Sequence, residues 1–396
     1  MKKVALLCLG LALGAANAAE AQLTMQMSNG WSFTFAGNVN AFYIYQNTKD
    51  AVTGTTTGKD LSVGTGLLPA FAVFDAKGKE DNLDLGVHFG FAPQVETGGH
   101  NASYFGTDAA GAQIDMRQVY LTAGGTWGSL TMGKELGLYQ RGNILTDMTL
   151  LGVGVGGGGR GTALGRIGYG YLYTDFRPQL TYTTPAGRPT SLSIGLFEGI
   201  RQGAFDVLEL PRVEAEFNYN GKMGENNNIK LFINGAAQTA KNGVGSGTDN
   251  LSSVGGGAGV TIDVSGFALT GSGFYAKGMG ILLSGDGIVG GGNFDNGGVD
   301  ADGTGRKSYG FIGQAVYTPP NSKFGIGGSW GENHLKATDA EGGGQLGKQR
   351  AVIGQITYKW SKSLRWVAEY GHIDNYSGDV KTTKADQGSL GMMLFF

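Results

Sequence analysis

The stretch "PRVEAEFNYN" (Pro211 to Asn220) sets Val213, Ala215, Phe217 and Tyr219 against Arg212, Glu214, Glu216 and Asn218. That period of two is the mark of an extended strand with one apolar and one polar face. "NLDLGVHFGF" repeats it, with Leu83, Leu85, Val87, Phe89 and Phe91 opposed to Asp84, Gly86, His88 and Gly90. "SLRWVAEYG" does the same with Leu364, Trp366, Ala368 and Tyr370 against Arg365 and Glu369. Sixteen segments of this kind can be marked, near 31–46, 67–77, 83–92, 114–124, 129–134, 175–184, 190–198, 211–220, 228–238, 253–263, 266–277, 308–318, 323–331, 351–360, 364–373 and 387–396. After Leu13 no stretch carries the i, i+3, i+4, i+7 spacing of an amphipathic helix.

The connections narrow the choice further. They alternate long and short, from "NTKDAVTGTTTGKDLSVGTG" then "GKEDN" to "SKS" before Leu364. An up-and-down meander with one long-looped rim and one trimmed rim has that rhythm, and outer-membrane barrels show it with an even strand count. No water is available in lipid to pair an open strand edge, so a spanning sheet must close on itself. Trp31, Tyr43, Tyr45, Trp127, Tyr219, Tyr317, Trp330, Trp360, Trp366 and Tyr370 fall near strand ends, as interfacial girdles require. The expected fold is all-β: a transmembrane antiparallel up-and-down barrel of 16 strands. An exported soluble sandwich would have shorter strands and no loop asymmetry.

The N-terminus agrees with export. Lys2 and Lys3 precede the short apolar run Val4 to Leu13, followed by small-residue cleavage sites after Ala18 or Ala21. Residues 1–18 therefore read as a signal peptide and 19–396 as the barrel. Cys8 lies inside the apolar run and leaves with it, so disulfides, thiol nucleophiles and thiolate metal sites drop out of the mature chain. Glycine reaches 74 of 396 residues, without a collagen period. Beyond the signal no apolar run approaches the length of about 20 residues that a membrane helix needs. With Lys2 and Lys3 removed, 28 basic residues face 32 acidic ones, and no basic stripe calls for nucleic acid.

A barrel of this size leaves an aqueous lumen that side chains alone cannot fill. Arg212, Glu214, Glu216, Asn218, Lys230 and Asn234 are then channel lining.

The block "MRQVYLTAGGTWGSLTMGKELGLYQ" (Met116 to Gln140) resembles a hairpin of the Gram-negative general porins. "NILTDMTLLGVG" is similar to the start of that family's constriction loop, and "RPQLTYTTP" to the strand that returns from it. The resemblance implies a loop over about 135–174 folded into the pore, where acids on the loop face a basic wall. It matches Arg117 and Arg177 to wall arginines and Asp147 to a loop acid, with Glu135 and Arg141 in the same lining. Asn38 and Val73 stand at two wall positions that are basic in the enterobacterial branch, and the loop acids after "TDM" are replaced by "TLLGVGVGGGGRG". Arg160 and Arg166 beside an acid-poor loop lean the eyelet toward anions, since rings of charge set selectivity.

A luminal Arg117 conflicts with simple alternation. It would turn Val119, Leu121 and Ala123 inward and Gln118, Tyr120 and Thr122 outward. Packing of this wall at a trimer centre would accommodate that; a bulge near Arg117 would serve equally.

Other signals weigh less. "GVGGGGRG" lacks the Gly-Lys-Ser/Thr ending of a phosphate loop. Asp295, Asp300 and Asp302 cluster in "FDNGGVDADGTG" without the spacing of a calcium loop, and read better as a solvated external loop. Histidines 88, 100, 334 and 372 come without a G-x-S-x-G elbow, so no enzyme and no cofactor is expected. The reading is a passive outer-membrane channel for ions and small hydrophilic solutes. The alternatives are a substrate-selective channel on the same barrel, or a plugged surface-interaction (adhesin) barrel. By resemblance the partners are outer-membrane lipid and lipopolysaccharide, two further copies in a homotrimer, and the insertion machinery that reads a terminal Phe396.

Overall fold

The computed structural model describes residues 23–95, 114–156, 162–202, 205–224, 227–243, 250–282 and 297–396. The expected signal peptide and its two cleavage sites, together with His100, Arg160 and Asp295, lie outside the described residues.

A short strand, β1 (Leu23–Gln26), lies along the start of β2 (Ser32–Asp50), and β3 (Thr56–Gly64) pairs with the far half of β2. The chain continues through β4 (Phe71–Glu80), β5 (Leu83–Pro93), β6 (Ile114–Gly125) and β7 (Gly128–Leu136). Beyond a long segment come β8 (Phe176–Thr183), β9 (Thr190–Phe197), β10 (Arg212–Lys222), β11 (Asn228–Lys241) and β12 (Asn250–Val264). The last six are β13 (Phe267–Lys277), β14 (Lys307–Tyr317), β15 (Phe324–Lys336), β16 (Gln345–Lys359), β17 (Leu364–Ser377) and β18 (Val380–Phe395).

Sixteen of these, β2 and β4 to β18, form one antiparallel ring. β18 closes it on β2, from Leu394 opposite Val39 to Thr383 opposite Asp50. All sixteen expected segments are present as these strands. β1 and β3 are additions, and β15 to β18 run further toward the long-loop rim than alternation indicated. Beyond the apolar belt both faces of a hairpin tolerate polar residues, so the period of two fades while backbone pairing persists.

The two faces divide as the alternation requires. Val213, Phe217, Tyr370, Leu390, Met392 and Leu394 are exposed on the outside, whereas Arg212, Glu214, Glu216 and Glu369 are buried on the inside. At the trimmed rim, Asp81 and Asn82 have φ of 45° and 66°, and Ser265 and Gly266 have 48° and 88°. Positive φ at both central residues is the two-residue turn whose twist matches that of the flanking strands.

The Arg117 conflict is resolved by a bulge. Gly90 pairs with Gln118 but Phe91 pairs with Met116, so Arg117 is the extra residue in β6. Gln118 and Tyr120 are buried within the ring, and Leu121 and Met116 are exposed outside it. The inward placement of Val119, Leu121 and Ala123 that simple alternation forced is therefore corrected, while Arg117 still reaches the interior. The same finding removes the polar outer face that a trimer centre was invoked to accommodate.

Candidate channel interior

Residues 137–175, between β7 and β8, hold a short helix, α1 (Arg141–Leu145), and a 3-10 turn (Met148–Leu151) that the absence of helical spacing had not anticipated. Their contacts reach strands on opposite sides of the ring. Leu138 and Tyr139 N–H groups donate to Glu214 on β10 at 2.8 and 2.9 Å. Val153 and Gly154 N–H groups donate to Glu369 on β17, both at 2.8 Å. Asn333 on β15 accepts from Gly170 N–H at 2.9 Å, and Gln387 on β18 accepts from Gly156 N–H at 2.8 Å. The Leu67 N–H, beyond β3, donates to the Gly152 carbonyl at 2.9 Å.

The sequence of this segment explains why it packs against these strands. Tyr139, Ile144, Leu150, Val153, Ile167, Tyr171 and Leu172 are buried in one cluster with Phe42, Phe71, Phe274, Val367 and Met393 of the wall. Burying apolar surface drives that packing, and each pair of backbone amides facing a wall carboxylate gains charge-assisted hydrogen bonds. Gly152 permits the approach: a Cβ there would sit 2.1 Å from Glu369 Oε1.

The expected lining residues have distinct fates. Arg117 Nε bonds Asp115 at 2.7 Å and its guanidinium carbon lies 5.7 Å over the Phe176 ring. Arg177 sits beside Asp175 at 3.5 Å. Arg141 donates through Nε to Glu216 at 2.9 Å, and Arg212 donates to Glu214 at 2.6 Å. Glu135 accepts from Gln118 at 2.9 Å. Arg166 is fully buried and donates to the Ala351 carbonyl at 2.8 Å. Asp147, read as a pore-facing acid, is instead buried: its carboxylate accepts from Thr149 N–H and Oγ1, both at 2.8 Å, and from Tyr171 Oη at 2.6 Å. It caps the 3-10 turn, a role that a short polar residue before "MTLL" signals once the turn is known. Asn38 and Val73 line the inside without charge, as their identities require.

What sequence reasoning missed is a cavity of about 450 Å³ on the trimmed-rim side of the segment. Leu145 to Leu151 roof it, and Lys230, Asp263, Lys323, Lys359 and Arg365 stand among threonines on its walls. These residues sit at strand ends, where alternation alone does not say which groups converge.

Elsewhere, described histidines pair with carboxylates: His88 with Asp75 at 2.9 Å, His334 with Glu332 at 2.9 Å and His372 with Asp386 at 2.8 Å. Asp300 accepts from the amides of Asp302 and Thr304 and from Thr338 Oγ1, so its carboxylate ties loops together. Among the described residues no group of three His, Cys, Asp or Glu is placed to hold a metal ion.

A family model described as Gram-negative porin matches residues 5–378. No curated protein matches the sequence. Among solved structures, the outer membrane channel DcaP of Acinetobacter baumannii aligns at a TM-score of 0.69 and 14% identity, covering 94% of this chain and 99% of that one. An anion-selective porin from Comamonas acidovorans aligns at 0.61 and 14%, covering 92% and 100%. OmpT of Vibrio cholerae in its trimer form gives 0.58 and 14%, covering 93% and 100%.

Proposed function

The chain belongs to the Gram-negative porin family, and from that premise we propose how its outer-membrane barrel conducts. It is a passive channel for small solutes, with no chemical step. The observation that carries the proposed path is the segment pinned to facing walls by Glu214 and Glu369. Solutes pass beside this segment, so its packing sets the width, and the constriction lies at residues 137–175. Arg117 and Arg177 stand at that level beside Asp115 and Asp175, Arg166 is buried against the wall, and the loop acid Asp147 is withdrawn into its own turn. The proposed preference is for anions.

The second reading, a substrate-selective channel on this barrel, is favoured by one feature. The segment meets the wall through apolar side chains as well as charges, so the path beside it is bounded by both. Assembly as a homotrimer is part of the proposal. β8 and β9 have eight residues each, just under the ~9–11 of a tilted lipid-spanning strand, and a wall that faces another copy has no lipid to span.

Single-channel recording in planar bilayers tests all of this. Ohmic conductance in threefold steps, with a reversal potential of anionic sign in a KCl gradient, is expected. Absence of conductance would reject the channel path and favour the plugged barrel. Saturable block by one solute would favour the selective reading.

A further inference from the structure

Lys359 at the end of β16 pairs directly across from Arg365 at the start of β17. Both follow the inward phase set by Gln355 and Glu369, and both line the cavity under the segment. Lys323, one residue before β15, completes the row: its carbonyl accepts from Lys359 N–H at 2.8 Å. Among the described residues its ammonium donates to the Trp360 carbonyl alone, at 3.2 Å. Three cations thus stand side by side on three adjacent strand ends. Among the described residues, no carboxylate lies within ion-pair distance of any of them. Of the cavity's two acids, Asp263 sits 4.0 Å from Lys230 on the other wall, and Asp147 in the roof is taken up by Thr149 and Tyr171.

Like charges placed directly opposite on neighbouring strands repel and destabilise the pair. A fold that keeps them gains when an anion enters between them. A concave mouth with low-dielectric walls concentrates that field, and a guanidinium beside an ammonium offers several donors to one oxyanion. We propose that Lys323, Lys359 and Arg365 form a binding site for small multivalent oxyanions, polycarboxylates or phosphates, at the trimmed-rim mouth. The proposal deepens the anion-channel reading and rests on it. The cavity of about 450 Å³ admits an ion of that size, and Thr357 on its wall supplies a hydroxyl.

The test uses the purified full chain with citrate and inorganic phosphate as probes. Calorimetry in detergent should show saturable citrate binding, weakened roughly tenfold for each charge-assisted hydrogen bond removed by Lys359→Gln/Arg365→Gln. The charge-conserving Lys359→Arg/Arg365→Lys should retain binding, as should Lys59→Gln on the outer hairpin. Equal citrate affinity in wild type and the double glutamine variant would overturn the site. Phosphate binding without citrate binding would assign it to phosphates, and the reverse to polycarboxylates. In bilayers, citrate on the trimmed-rim side should block conductance saturably in wild type and not in the double variant. Normal conductance with neither probe bound rejects the site alone. No conductance with citrate binding intact rejects the channel reading and leaves the site standing.

Discussion

Single side chains hold this barrel's loops as well as its interior. Arg306 donates through Nε to Glu341 at 3.0 Å and through Nη2 to its other oxygen, while Thr338 reaches Asp300 from the same loop as Glu341. This latch joins the two long connections before β14 and after β15. The guanidinium holds the Glu341 carboxyl down at about 2. A depressed carboxyl favours the folded latch above its unfolded value of about 4.3, and that contribution is lost as pH falls toward 2. Amide exchange in the 337–344 loop, corrected for its intrinsic pH dependence, should therefore accelerate as pH falls from about 4.3 toward 2, and Glu341→Gln should remove that dependence; an unchanged profile would count against the latch. At this scale the sequence was half legible. Arg212, Glu214 and Glu216 announced an inward face by their alternation, but nothing near them announced Leu138 and Tyr139 as partners.

Among the elements, the ring strands were the readable part, because a period of two is local and each strand carries its own copy. The bulge at Arg117 was not, since a register shift is a relation between β5 and β6. The segment between β7 and β8 shows the same limit. Its glycines and leucines read as a pliant loop, yet its anchors come from walls far away in sequence, 76 residues for Leu138 and Glu214 and 216 for Val153 and Glu369. Gly152 is where this element and the wall depend on one another. Gly152→Ala would force a methyl group against Glu369 and should destabilise the local packing by about 1–3 kcal/mol. Hydrogen exchange at Val153 and Gly154 should then speed up by roughly 5- to 150-fold with the barrel strands unchanged; equal protection would show that the pinning does not depend on this close approach.

For the whole molecule, closure is the decisive event. The backbone of Phe396 exchanges hydrogen bonds with Gly37 at 2.8 and 3.0 Å, and its ring lies 5.2 Å from that of Phe35. Removing Phe396 should lower the yield of heat-resistant assembled barrels severalfold while leaving the conductance of those that form within a factor of about two, the seam above Val39 being intact. Comparable yields would argue against a role in assembly.

The seam also fixes an order of events. Asp50 meets Thr383 and Val39 meets Leu394, so the first ring strand waits with an open edge until the last has arrived. Contacts so distant in sequence are slow to form, and an unpaired edge invites pairing with other chains. A ring of this kind cannot be completed piecemeal: until both ends of the chain are present together its edge strands stay open to pairing with other chains.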